Sequence, residues 1–158
     1  MAAVGRISRR VELRDIRLTE VHATRHAALG GPLRLKPSYE CNCVPVNVTD
    51  QGIEVVCSYT FKVRTSEADV AEAKIVYWIG YRLIGDDPTD EADIQHFAKA
   101  NGAYHSWPFA REEIFSLTSR MGFPPYTLPV LSFLPRPQQK APTVVSPTDS
   151  DTAPAKTE

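Results

Sequence analysis

The chain has 158 residues, enough for one domain with its own core and a tail. Lysine and arginine total 18 against 19 acidic residues, and a formal net charge of −1 argues against a general nucleic-acid binder. No window is apolar for long enough to span a membrane. The Arg9-Arg10 pair lacks the apolar stretch of an export signal, because Glu12, Arg14 and Asp15 follow at once. No membrane insertion is expected, and the composition reads as that of a soluble, cytoplasmic protein. Three cysteines, an odd number, fit reduced thiols better than a disulfide framework.

Residues 1–10 are small and basic and read as a flexible arm. From Val11 to Thr24 charged and β-branched residues alternate loosely, with Ile16 and Leu18 on one side and Arg17 and Thr19 on the other, which predicts a first strand. Gly30-Gly31-Pro32 closes it. Leu33, Leu35, Tyr39, Cys41 and Cys43 share one parity in a second strand over Leu33 to Val48. Pro37 and Pro45 cannot donate to a ladder, so this strand is an edge strand or begins only after Pro37. Thr49 to Gly52 is a turn. Ile53 to Arg64 alternates most cleanly, with Ile53, Val55, Cys57, Tyr59, Phe61 and Val63 on one face. Ala71 to Ile84 repeats the pattern. Short connections imply antiparallel neighbours.

Thr89 to Ala100 suits a short helix ended by Asn101-Gly102. A second helix opens at Ser106, as cap, with Pro108 in its first turn. Trp107, Ala110, Ile114, Leu117 and Met121 follow at spacings of three and four and form its apolar face. Gly122 supplies a left-handed cap, and Pro124 and Pro125 forbid a restart. Phe123 to Leu134 is apolar and punctuated by proline. Such a segment either packs on the protein's own surface or lines a groove for another chain, and the residues alone leave both open. Residues 135–158 turn to proline, serine, threonine and lysine and read as a disordered tail. The predicted fold class is α+β: four antiparallel strands, then helices, with one sheet face wet.

Catalytic and metal chemistry finds little support. Cys41-Asn-Cys43 places two thiols on one strand face, and Cys57 falls across the ladder, but structural zinc wants four ligands and no companion pair exists. Buried cysteine as a small hydrophobe is the simpler account. His22, His26, His96 and His105 form no cluster in the sequence, the serines lie in no nucleophile elbow, and no glycine-rich phosphate loop is present. Asp86, Asp87, Asp90 and Glu91 are explained by their place at a helix N-terminus. No enzyme, cofactor or metal is expected.

The motif Trp107-Pro108-Phe109-Ala110-Arg111-Glu112, with Ser119-Arg120-Met121-Gly122-Phe123-Pro124 and Leu128-Pro129-Val130, resembles the helix and following segment of the SecB chaperones. Upstream, Asn101-Gly102-Ala103-Tyr104 is similar to the turn before that helix, and Arg14-Asp15-Ile16 to the family's first strand. The likeness runs over residues 10 to 134, which makes 11–134 a SecB-like domain between the arm and the tail.

The resemblance implies a non-catalytic holdase that works without ATP. It implies a homotetramer, a dimer of dimers with helices held between sheets, and apolar grooves for non-native polypeptide. Leu33, Leu35, Tyr39 and Cys41 match one groove wall, and Tyr126, Leu128, Leu131 and Phe133 the other. The client would be a preprotein for export, with SecA as a docking partner, or the antitoxin of a toxin–antitoxin pair. Export SecB is acidic and continues into a long C-terminal helix. Here the charge is near neutral and Pro135 and Pro137 interrupt, which favours the antitoxin role. An adaptor that binds one folded partner in the same groove is the alternative from another class.

Overall fold

The computed structural model describes residues 7–26, 34–66, 68–85 and 90–132. Leu33, Phe133, the first six residues and the tail lie outside them. Four strands, β1 (Val11–Arg25), β2 (Lys36–Thr49), β3 (Gly52–Arg64) and β4 (Asp69–Leu83), form one antiparallel sheet in the order β1–β4–β3–β2. The helical part is a continuous rod: α1 (Glu91–Phe97), a π-helical turn (Ala98–Gly102) and α2 (Ala103–Arg120). The class is α+β, as the alternation predicts.

The inner strands carry the core. Ile53, Val55, Cys57, Tyr59, Phe61 and Val63 of β3, and Ala71, Ala73, Ile75, Tyr77, Ile79 and Tyr81 of β4, are all buried on the face the helices cover. The tight β2–β3 and β3–β4 connections make antiparallel neighbours, but β1 and β2, consecutive in the chain, lie on opposite edges. Three interstrand gaps of about 4.8 Å separate these two edges. Being an edge strand, β2 tolerates Pro37 and Pro45.

The loose alternation of β1 has a cause. Register shifts against β4 fall between Leu13 and Asp15 and between Leu18 and Glu20, and each swaps which parity faces inward. Val11 and Leu13 face inward first, then Ile16 and Leu18, then Val21 and Ala23, opposite Leu83, Tyr81, Ile79, Tyr77, Ile75 and Ala73. Ahead of β1, Ile7 is buried and the Arg10 side chain donates to the carbonyls of Ile84 and Gly85, so this end of the arm is docked on the sheet.

The helix boundary at Asn101-Gly102 requires correction. Gly102 has ordinary helical angles (φ −57°, ψ −50°) and ends nothing. A Cβ there would lie 2.8 Å from Cys57 Sγ, 3.0 Å from Val55 Cγ1 and 3.1 Å from Cys43 Cβ, so glycine is present because the rod touches the sheet. Ser106 is likewise no cap: it is fully buried and donates to the Gly102 carbonyl at 2.6 Å. Pro108 sits on the exposed side of α2, inside the helix. At the other end the expected cap is present. Gly122 (φ 76°) donates to Ser119 O, and Phe123 N–H donates to Thr118 O, the paired bonds of a Schellman motif.

Candidate functional site

Trp107, Ala110, Ile114 and Leu117 are buried against the protein's own sheet, and Met121 is half-buried at the end of the helix. This face builds the core and offers nothing outward. Away from that face α2 exposes Phe109 on one flank and Tyr104 and Phe115 on the other, each 46–60% exposed. Because α2 packs over β2, β3 and β4, the inward positions of β1 stay partly bare: Leu13, Leu18 and Val21 are 40–48% exposed. Phe109 lies 6.2 Å from Tyr77, the partner of Leu18, which joins helix and strand into one apolar surface. The helical spacing in the sequence marked the buried stripe and gave no sign of this second surface, which Phe109 shares with β1.

A different surface forms where the chain returns after Gly122. Thr118 Oγ accepts the Tyr126 N–H at 3.0 Å while donating back to Ile114 O. The Trp107 indole donates to Pro129 O at 3.0 Å. Phe123 and Leu128 are buried, and Tyr126 stacks 5.2 Å from Phe61. Of the two fates open to this segment, it packs on its own protein. Leu128 therefore requires correction as a wall residue: it is 0% exposed and supports the surface from beneath.

Leu35, Tyr39 and Cys41 on β2, with Tyr126 and Leu131 on the returning segment, are half-buried and packed around the core. Tyr39 meets Trp107 edge-on at 5.6 Å and pairs with Phe61 across the ladder. Five of the eight residues assigned to a groove thus edge one aromatic patch. Leu33 and Phe133 lie outside the described residues. Apolar, half-open and poor in charge, this patch suits capture of apolar side chains. Shallow cavities among the described residues lie elsewhere. One of about 520 Å³ on the sheet includes Arg14, Glu54, Trp78 and Arg82 in its lining, and one of about 320 Å³ lies between the end of β2 and α1.

The polar groups beneath the patch are ordered. The single Ser106 hydroxyl proton goes to Gly102 O, so the Tyr59 hydroxyl, 2.7 Å away, donates to Ser106 Oγ. Burial raises the Tyr59 phenol well above its ordinary value, and burial also raises the Cys41 thiol beside it. Tyr77 is pushed up to about 12 by burial and then by Glu113 and Glu112. His105 is hydrogen-bonded through Nδ1 to the Tyr81 hydroxyl at 2.9 Å and is held below its ordinary value by burial.

The cysteines require a further correction. They are not three reduced thiols: Cys43 is the register partner of Cys57, and the two are paired as a disulfide, leaving Cys41 free. Among the described residues no group of three or more His, Cys, Asp or Glu is placed to hold a metal ion. The outer sheet face carries paired charges, Glu12 with Arg82 and Glu20 with Lys74.

A four-stranded sheet backed by one long helix, with an extended segment folded back onto the helix and the edge strand, is a SecB-like arrangement. No family model matches the chain. It is 26% identical over 150 residues, 81% of each chain, to the SecB-like chaperone Rv1957 of Mycobacterium tuberculosis strain H37Rv and equally to MT2006 of strain CDC 1551. Its fold matches the structure of the M. tuberculosis Rv1957 SecB-like chaperone, solved with a ChAD peptide from the HigA1 antitoxin. The TM-score is 0.70 at 26% identity, covering 82% of this chain and 97% of that one. In sequence and in fold the chain is similar to the SecB-like chaperones.

Proposed function

We propose that this protein is a holdase chaperone that binds non-native polypeptide on its apolar surfaces, with the antitoxin of a toxin–antitoxin system as its dedicated client. The observation that carries this reading is its likeness, over 82% of its length, to a SecB-like chaperone that holds an antitoxin peptide. The patch edged by Leu35, Tyr39, Cys41, Tyr126 and Leu131 is the client surface. It binds by apolar area and asks little of the client's sequence, which is what an unfolded segment offers.

The second surface, Leu13, Leu18 and Val21 with Phe109, belongs to assembly. Two protomers join through it and two such pairs make a tetramer, which covers apolar area too large to leave in water. Pairing of Glu12 with Arg82 and Glu20 with Lys74 leaves the outer sheet face with little net field. That supports a dedicated client over docking to the SecA motor and export of preproteins. The protein acts in the cytoplasm without ATP, cofactor or catalysis. The test is capture of an antitoxin C-terminal peptide by the full-length protein without nucleotide. Binding near stoichiometry supports the role, and a folded protein that ignores both this peptide and unfolded chains overturns it.

A further inference from the structure

The three sulfurs lie closer together than any client-binding role requires. Cys43 and Cys57 face each other across β2 and β3 with Cα atoms 4.1 Å apart and are bonded. Cys41 Sγ lies 3.7 Å from Cys43 Sγ on the other side. Residues two apart on a strand point to one face with Cα atoms about 6.6 Å apart, inside the roughly 4.4–6.8 Å that disulfides span. Cys43 thus has two partners within reach, one across the ladder and one along its own strand.

We propose that Cys43 is the shared sulfur of an internal disulfide exchange, alternating between a cross-strand bond to Cys57 and an along-strand bond to Cys41. In the exchange the Cys41 thiolate attacks Cys43 Sγ and forms the new S–S bond. The Cys43–Cys57 bond breaks, and Cys57 leaves as a thiolate that takes up the proton Cys41 gave away. Two thiol-equivalent states interconvert with no net gain or loss of electrons. Only the first oxidation, of two thiols to one disulfide, needs an oxidant, and a peroxide or a disulfide-exchanging protein serves.

The surroundings fit an exchange with two distinct end states. The Tyr59 hydroxyl proton is committed to Ser106, and the Cys41 thiol lies beside that hydroxyl. Burial keeps Cys41 protonated at neutral pH, which makes the exchange slow enough to trap. The cross-strand bond lies directly under Gly102, where the rod touches the sheet, and clasps edge strand β2 to β3. The along-strand bond releases that clasp and consumes the one thiol in the patch. This last consequence rests on the chaperone reading above; the sulfur chemistry does not.

The full-length protein is oxidised with hydrogen peroxide at one equivalent, desalted, incubated, and quenched in acid. Free thiols are labelled with N-ethylmaleimide under denaturing conditions, and the label is located by fragmentation of unreduced Glu-C peptides. The expected result is one label per chain, divided between Cys41 and Cys57, with Cys43 unlabelled. Cys57→Ser and Cys41→Ser each give no label, and Cys43→Ser gives two. A label that stays on Cys41 alone through a day of incubation, or two labels in Cys57→Ser, overturns the proposal, as does labelling of all three cysteines. Failure here leaves client capture by the same preparation to be read separately. If both readings hold, the two locked forms, Cys41→Ser and Cys57→Ser, differ several-fold in client affinity.

Discussion

The Trp107 indole N–H donates to the Pro129 carbonyl at 3.0 Å, and through this bond a residue of the core stripe fastens the segment that edges the proposed client patch. Trp107→Phe keeps most of the apolar volume and removes the donor. A neutral hydrogen bond contributes about 1 kcal/mol, so global stability is expected to fall by about that much. The larger effect is local: amide exchange over residues 124–131 accelerates while β3 and β4 stay protected. Uniform loss of protection in the sheet would contradict the fastening role.

Leu128 and Leu131 lie three residues apart and are expected to separate cleanly. Leu128 is fully buried, and Leu128→Ala should cost about 2–5 kcal/mol through lost burial and the cavity left behind. Leu131 is half-buried, and Leu131→Asp should cost about 1 kcal/mol of stability while weakening client capture. Denaturant unfolding with a client-binding titration on each variant distinguishes them. Equal stability losses would mean that the returning segment packs differently.

Gly102→Ala tests the close approach of rod and sheet. The new Cβ meets Cys57 Sγ at 2.8 Å and Val55 Cγ1 at 3.0 Å, both held by the buried face of β3. Overpacking of this kind is expected to cost about 1–3 kcal/mol, against a small gain from helix propensity. Thermal unfolding reads the sign directly, and a more stable variant would contradict the contact.

Much of the fold was legible in the sequence, and the exceptions share a physical cause. β3 and β4 bury one face each, so their alternation is visible in Ile53 to Val63 and Ala71 to Tyr81. β1 carries two bulges that swap its inward parity, which blurs the same signal and hides Leu13, Leu18 and Val21 as one surface. The pairing of β1 with β4 joins strands far apart in the chain and leaves no local trace. Gly102 was read through its freedom in turns, whereas its place follows from a neighbour, Cys57, 45 positions earlier in the chain. Burial of Leu128 depends likewise on Thr118 and Trp107 binding the backbone around it. The cysteine pairing needed the register of β2 against β3, which a bulge at Val46 further obscures.

The outer stripe is expected to govern assembly. Leu18→Asp with Phe109→Asp places charge on the two apolar residues that flank Tyr77, each nearly half-exposed in the protomer. Native mass should fall from about four times 17.6 kDa to a smaller species, with the protomer still folded by circular dichroism. An unchanged mass would place the interface elsewhere.

Stability should also respond to pH through His105. Its folded value is depressed by burial, so the unfolded chain binds the proton first as the solution is acidified. The contribution is complete above the ordinary histidine value of about 6.5 and is lost as pH falls from there through the folded value. His105→Gln should flatten this part of the curve measured by denaturant unfolding at a series of pH values. A steeper slope in the variant would reverse the assignment.

The central claim is that the patch edged by Leu35, Tyr39, Cys41, Tyr126 and Leu131 holds non-native chain without an energy source. The most direct measurement is light scattering from a chemically denatured client diluted into nucleotide-free buffer containing the full-length protein. Near-stoichiometric protein is expected to suppress aggregation, Leu131→Asp to lose most of that effect, and added ATP to change nothing. A folded wild-type protein that leaves aggregation unaltered would contradict the account.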